Sequence, residues 1–375
     1  MLVFLTSTAF LISIYGTEIV NRSHNRSKTI IILGFLGKLF LVLLPLTENP
    51  VYFILCISVT AYMDSALLSS WNIVFKHNYS DQNRSKYFSY ATTISTIAIL
   101  ITATSFGYLL DLNPKIFKLF FPLSGVLGML VYYNLSRMIS YSMDDYIVND
   151  SLSQRTTFNF KLFLDIIILP IRNVFRIIKE NKAFFRFEVY FFLYGMAFLV
   201  ILPSVPIYLV DTLQLTYAPI SAAKGLAFHS ALIMFTPLMG KYHGSKDPTK
   251  FCGYVFVILV FYPLLLLSIN HIHFLNLTLS KEVMLYITYF VFGIGMSGIG
   301  ISWSLSTIYF APKNEVSNYQ AVHITLTGIR GFIAPILGYA IMKIFTIEYT
   351  FMLSALLFLA GGLLMFRESR LKRSI

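Results

Sequence analysis

Two short constellations of polar side chains sit inside stretches that are otherwise apolar. Asp64 has Thr60 four residues before it and Trp71 seven after, a spacing that puts all three on one helical face. A carboxylate there could carry a proton or bind a cationic group. Equally, it could pair with a nearby cation such as Lys38 and fix helix packing. His323, Thr327 and Arg330 form a second stripe at spacings of four and three. An arginine cannot lose its proton, so Arg330 needs an anionic ligand, a carboxylate partner or backbone carbonyls. A histidine can titrate near neutral pH. Each ionisable group in lipid costs at least ~2.5–3.5 kcal/mol on insertion scales, so each needs a reason to be there. Lys38 is expected to form a structural pair, Lys224 to snorkel to an interface, and His229 to pack. Glu18 is expected to latch helix ends.

The elements that must hold these groups are long apolar helices. Eleven apolar stretches fill the chain, at about 2–20, 29–47, 51–75, 87–110, 119–136, 187–210, 218–239, 251–270, 283–311, 320–342 and 349–366. About 20 apolar residues let a helix cross a ~30 Å hydrocarbon core, and a helix closes its backbone hydrogen bonds internally, as lipid demands. The residues are 57% hydrophobic and 12% charged, too few charges to build a water-facing exterior. The chain reads as an all-α polytopic membrane protein. Its first stretch lacks a basic leader, so it is not read as a signal peptide.

A net charge of +12 could suggest nucleic acid, but the positions of the charges argue otherwise. If alternate breaks face the cytoplasm, 22 of the 29 Lys and Arg fall on that side, four on the other, and Lys38, Lys224 and Arg330 inside helices. That bias sets orientation, with the C-terminus cytoplasmic and the N-terminus outside. The lipid bilayer, not nucleic acid, is the expected partner, and the expected location is the plasma (inner) membrane. Cys56 and Cys252 lie in apolar stretches and indicate no disulfide framework.

The long polar break at 137–186 divides the sequence into an N-terminal bundle (1–136) and a C-terminal bundle (187–366), followed by a basic tail (367–375). The break holds an acidic, serine-rich stretch and then Phe163–Lys179, read as an amphipathic helix on the cytoplasmic membrane surface, kinked at Pro170. The two bundles look related. A shift of 231 positions sets Phe88 on Tyr319 and Gly107-Tyr108 on Gly338-Tyr339, with Trp71 one residue from Trp303. Gly293, Gly295, Gly298 and Gly300 would allow close helix approach or bending, while Pro203, Pro206 and Pro237 would interrupt or bend their helices.

The first break carries Gly16, Asn21, Arg22, Arg26 and Lys28; a counterpart carries Gly240, Lys241, Gly244, Lys246 and Asp247; a third run is Ala334-Pro335-Ile-Leu-Gly338. In these runs, the helix count and the long central loop, the chain resembles the major facilitator superfamily. Asn21 stands where that family's loop motif has an acid. The resemblance implies two six-helix halves with both termini inside, so this chain would begin at the family's second helix and hold five helices and then six. It also implies a cytoplasmic gate built from the Gly16 and Gly240 runs. The helix carrying His323, Thr327 and Arg330 would line a central cavity, making them, with Asp64, Thr60 and Trp303, the candidate solute and coupling residues.

The function so implied is secondary transport of a small solute by alternating access, with protons as a candidate driving ion. No Gly-x-x-x-x-Gly-Lys-Ser/Thr run supports a nucleotide-driven pump. Cations outnumber the one deep acid, Asp64, which tilts the expected solute toward an anion or zwitterion. Neither cofactor nor metal is expected. A non-transporting receptor or scaffold, or a truncated remnant, is the alternative. An intramembrane transferase fits less well, since no paired-carboxylate or His-Asp constellation stands at a helix end.

Overall fold

The computed structural model describes residues 9–23, 25–143, 160–245, 247–270 and 280–371. It is 91% helical, and no strand occurs among the described residues. The long helices are α1 (Ser13–Arg22), α2 (Arg26–Leu43), α3 (Pro50–Leu68), α4 (Ser70–Asn78), α5 (Asp81–Leu112), α6 (Phe117–Met143), α7 (Phe160–Glu180) and α8 (Lys182–Val200). They continue as α9 (Phe228–Gly244), α10 (Pro248–Asn270), α11 (Lys281–Leu305), α12 (Val316–Ile344) and α13 (Ile347–Leu371). Among the described residues, nine helical spans are long and apolar enough to cross a membrane. The first expected stretch runs into residues outside the described ones, and α5 is continuous over 32 residues but is not one of the nine.

Local signals in the sequence set the helix starts. The Asn25 side chain accepts from the Lys28 N–H at 2.9 Å and caps α2. Asn49 caps α3 through the Val51 N–H at 2.8 Å, with Pro50 at the first helical position, where its missing N–H costs nothing. Ser280 caps α11 through the Val283 N–H at 3.3 Å. Pro203 follows the end of α8, and the chain resumes as a short helix (Ser204–Ile207) and a π-helical turn (Tyr208–Thr212). A second π-helical turn, Ala223–Ala227, leads into α9. The expected amphipathic segment is α7, continuous through Pro170. The acidic, serine-rich stretch before it lies outside the described residues.

The helices form two compact units. Unit one comprises Met1–Ser80, Thr104–Lys182 and Phe310–Ile329; unit two comprises Asp81–Ala103, Ala183–Tyr309 and Arg330–Ile375. In unit one α2 packs along α6 and α3, and Val20, Ile30, Leu67, Val74, Tyr132, Leu135 and Ile139 form a core cluster. Trp71 packs against that cluster. In unit two α10 packs along α13 and α11, and α9 along α11. Its core is aromatic: Tyr194 stacks on Phe256 at 4.8 Å between centroids and lies 5.9 Å from Phe358.

Glycines permit several of these approaches. A side chain on Gly293 would meet the Phe228 carbonyl oxygen at 2.5 Å, and one on Gly298 would meet Val255 at 2.5 Å. Gly295 faces Leu259, whereas Gly300 has nothing within 4 Å. Three of the four α11 glycines therefore serve close packing, on α9 and on α10. The closest approach is at Gly338, where a Cβ would fall on the carbonyl oxygen of Val200. Gly338→Val is expected to prevent α12 from seating against α8, which loss of monodisperse protein in size-exclusion chromatography would reveal.

Candidate functional site

In unit one, α2, α3 and α6 bring together a polar triad. Lys38 Nζ lies 2.6 Å from Asp64 Oδ2, and the Tyr132 hydroxyl donates to Asp64 Oδ1 at 2.7 Å. The Lys38 ammonium also lies 5.7 Å from the Tyr132 ring centroid. Gly128 makes room for the lysine stem, since a Cβ there would meet Lys38 carbons at 2.7–3.0 Å. Asp64 thus takes the pairing that its sequence position left open. Its neighbours on the stripe do other work. The Thr60 hydroxyl donates to the Gly37 carbonyl at 2.9 Å and the Cys56 carbonyl at 3.0 Å, and Trp71 belongs to the apolar cluster.

Unit one also holds the first gate candidate. Gly16 lies against Ala66, so α1 and α3 meet backbone to backbone. The Asn21 side-chain amide donates to Asn318 Oδ1 at 2.9 Å, and its Oδ1 accepts from the Ser317 hydroxyl at 3.3 Å. A carboxylate at this position could accept but not donate, so the amide suits this double contact. Arg22 pairs with Glu18 one turn before it on the same helix, so this pair does not latch α1 to another helix as expected. Arg26 donates to the Asn21 backbone carbonyl at 3.3 Å. His323 is buried, and the Thr327 hydroxyl donates to its carbonyl at 3.0 Å. The exposed Lys118 lies 2.8 Å from Glu48, and this hydrogen bond holds the Glu48 carboxyl below its usual range.

In unit two the main feature is Arg330. It is 4% exposed, donates from Nη1 to the Phe191 carbonyl at 2.8 Å, and lies 5.4 and 5.6 Å from the Phe191 and Tyr194 ring centroids. Gly195 faces the guanidinium stem, where a methyl group would displace it. Glu188, one turn before Phe191 on α8, is 2% exposed and interacts electrostatically with both Arg330 and Cys252. The chemistry available here is a fixed positive charge on an aromatic cradle, with a buried carboxylate, Glu188, one turn from Phe191 on α8. His323 and Thr327, expected to act with Arg330, belong to unit one.

The second gate candidate is also in unit two. Gly240 of α9 lies against Ser89 of α5, and a Cβ there would meet the Ser85 carbonyl oxygen at 2.8 Å. His243, fully buried, bridges the Ser85 hydroxyl at 2.5 Å from Nδ1 and the Ser306 hydroxyl at 3.2 Å from Nε2. Arg84, 2% exposed, lies 2.8 Å from Asp81 and 5.9 Å from the Tyr309 ring centroid. Asp247 Oδ1 accepts from the Thr249 N–H at 3.3 Å. Lys241 is exposed, Lys246 lies outside the described residues, and Trp303 is half-buried on α11. Lys224 is exposed in the second π turn, and His229 Nδ1 lies 2.9 Å from the Gly225 carbonyl.

Sequence reasoning missed Glu188, His243 and Arg84. Glu188 stands at the edge of the apolar stretch expected from residue 187 and was not singled out there, whereas α8 starts at Lys182 and is helical through it. Asp64 is not the only acid set among these helices. Its side chain is 39% exposed, while Glu188 and Glu368 are each 2% exposed. Glu368 is held by two guanidinium nitrogens of Arg186, at 2.7 and 2.8 Å.

These helices and their buried charges define a multi-pass membrane protein. A Major Facilitator Superfamily model matches residues 1–331, and the chain belongs to that family, whose members are transporters and not enzymes. The fold is similar to that of the human organic anion transporter MFSD10 (TETRAN), with a TM-score of 0.71 and 10% identity over 97% of this chain and 83% of that one. It is also similar to a point variant of the E. coli fucose:proton symporter FucP, with a TM-score of 0.60 and 14% identity over 98% of this chain and 90% of that one. No curated protein matches the sequence.

Proposed function

We propose that this protein carries a small solute across the plasma membrane by alternating access, driven by protons, with its C-terminus in the cytoplasm. The observation that carries the reading is Arg330, a permanent charge buried on an aromatic cradle within a membrane span. Its insertion cost makes a purely incidental placement expensive. The names of the two similar structures, an organic anion transporter and a fucose:proton symporter, point the same way. The skewed Lys and Arg distribution supports the orientation.

The solute class follows from the charges around Arg330. Glu188 adds a buried acid to the unit that holds Arg330. A zwitterion, with one group for the guanidinium and one for the carboxylate, fits better than a plain anion. The Gly16–Asn21–Arg22–Arg26 and Gly240–Lys241–Asp247 runs are proposed as cytoplasmic gate elements of two related halves.

The test is uptake by sealed proteoliposomes containing the intact chain, offered a pool of zwitterionic and anionic metabolites with and without an inward proton gradient. Accumulation of at least one zwitterion above empty vesicles, and only with the gradient, is expected. Equal uptake in both conditions would remove proton coupling. Uptake of none by correctly inserted protein would favour a non-transporting receptor.

A further inference from the structure

The C-terminal end of α13 carries a groove of about 480 Å³ lined by Leu363, Phe366, Arg367, Arg370 and Leu371. Spacings of three and four put these side chains on one helical face. The same face runs back along the helix through Leu356, 63% exposed, and Leu359, 39% exposed, to Leu363, 56% exposed. It is apolar for about three turns and then basic, since both arginines are exposed. Glu368, between them in sequence, is only 2% exposed and accepts from two guanidinium nitrogens of Arg186 at 2.7 and 2.8 Å. Arg367 and Arg370 have no ion pair or hydrogen bond among the described residues.

Basic residues at the end of a membrane span are common, and charge alone makes no site. Here shape adds to charge. Phe366, one wall of the groove, meets the Tyr254 ring of α10 edge-on at 4.9 Å between centroids. Gly253 leaves the space that Phe366 fills, since a Cβ there would meet the ring at 2.8 Å. Tyr254 is 40% exposed, and Lys250, one turn before it, lies 5.8 Å from its ring centroid. Amphipathic rings of this kind sit at headgroup level in a bilayer. That sets the groove at headgroup depth, with the leucine stripe leading from it into the hydrocarbon.

We propose that this groove binds one anionic phospholipid. Its phosphate sits between Arg367 and Arg370, whose guanidinium forks match phosphate oxygens. One acyl chain lies along Leu363, Leu359 and Leu356. A soluble phosphate would use the arginines and leave the apolar stripe uncovered. A zwitterionic lipid would cover the stripe but bring its own cation against two arginines. An anionic lipid satisfies both parts. The site stands apart from the transport reading, because it requires only that α13 span the membrane.

The experiment is native mass spectrometry of the intact chain, stripped of lipid in detergent and then offered phosphatidylglycerol, phosphatidylcholine with the same acyl chains, or glycerol 1-phosphate. Wild type is expected to retain one phosphatidylglycerol and to hold the other two far more weakly. Arg367→Gln with Arg370→Gln should weaken phosphatidylglycerol binding about 30-fold, through the loss of two cations beside an anionic headgroup, and leave phosphatidylcholine unchanged. A matched pair, Arg172→Gln with Lys179→Gln, removes two exposed charges from α7 and should change nothing. Three results would overturn the proposal in wild type: no retained phosphatidylglycerol, equal retention of both lipids, or glycerol 1-phosphate bound as tightly as the lipid. Undiminished binding in the double arginine variant would overturn it too, as would loss of the lipid from the α7 variant, which would place the site in unit one. The wild-type comparison decides by itself where a variant does not fold.

Discussion

Arg330→Met is expected to lower stability by about 3–5 kcal/mol, the cost of breaking a buried charged contact by removing one partner. Two losses combine: the 2.8 Å bond to the Phe191 carbonyl and the contacts with the Phe191 and Tyr194 rings. Adding Glu188→Gln should return little of that loss, because neither the Phe191 bond nor the ring contacts come back. Transport should not return. Arg330→Lys should fall between wild type and Arg330→Met, since an ammonium keeps the charge but cannot lie flat on two rings while bonding a carbonyl. Thermal melts of the purified variants in one detergent check the order. If Arg330→Met melts with wild type, the guanidinium does not hold α8 and α12 together.

The second large effect is expected at the unit-one triad. Lys38→Met and Asp64→Asn should each destabilise, by an amount between the ~0.2–1 kcal/mol of an exposed pair and the ~3–5 kcal/mol of a buried one. The intermediate value follows from exposure, since the lysine side chain is 14% exposed and the aspartate 39%. The double variant should lose less than the sum of the singles, because neither is then left with an unmatched partner. Additive losses in a double-mutant cycle would mean that the 2.6 Å contact contributes nothing of its own. Asp64→Asn should otherwise leave gradient-driven uptake in place, which separates a packing role from a coupling one.

How far the sequence could be read depended on what each residue's signal rests on. Helix positions came through because apolar length is a property of one segment. Asn25, Asn49 and Ser280 mark their own helix starts, and the amphipathic stretch expected over Phe163–Lys179 is α7, Phe160–Glu180. The pairing of Asp64 with Lys38 was legible as one of two options. Choosing between them required knowing that α2 and α3 turn these residues toward each other, a relation between segments that no spacing along one helix contains. The partners of Arg330 were hidden for the same reason. Glu188 was obscured by a boundary: it is the second residue of the apolar stretch taken from 187, whereas α8 begins at Lys182. His243 lay within a motif whose glycine and charges drew notice first. Its bridge between Ser85 and Ser306 joins segments far apart in the chain. His323, Thr327 and Arg330 do share one continuous helix, α12, as their spacing implied.

The most direct check of proton-coupled transport is the movement of protons on addition of solute. Proteoliposomes containing the intact chain are suspended in lightly buffered medium with no initial gradient, and the solute found by uptake is added outside while external pH is recorded. Alkalinisation of the medium in step with solute entry, abolished by a protonophore, is the expected result. Solute entry with no accompanying pH change would contradict it.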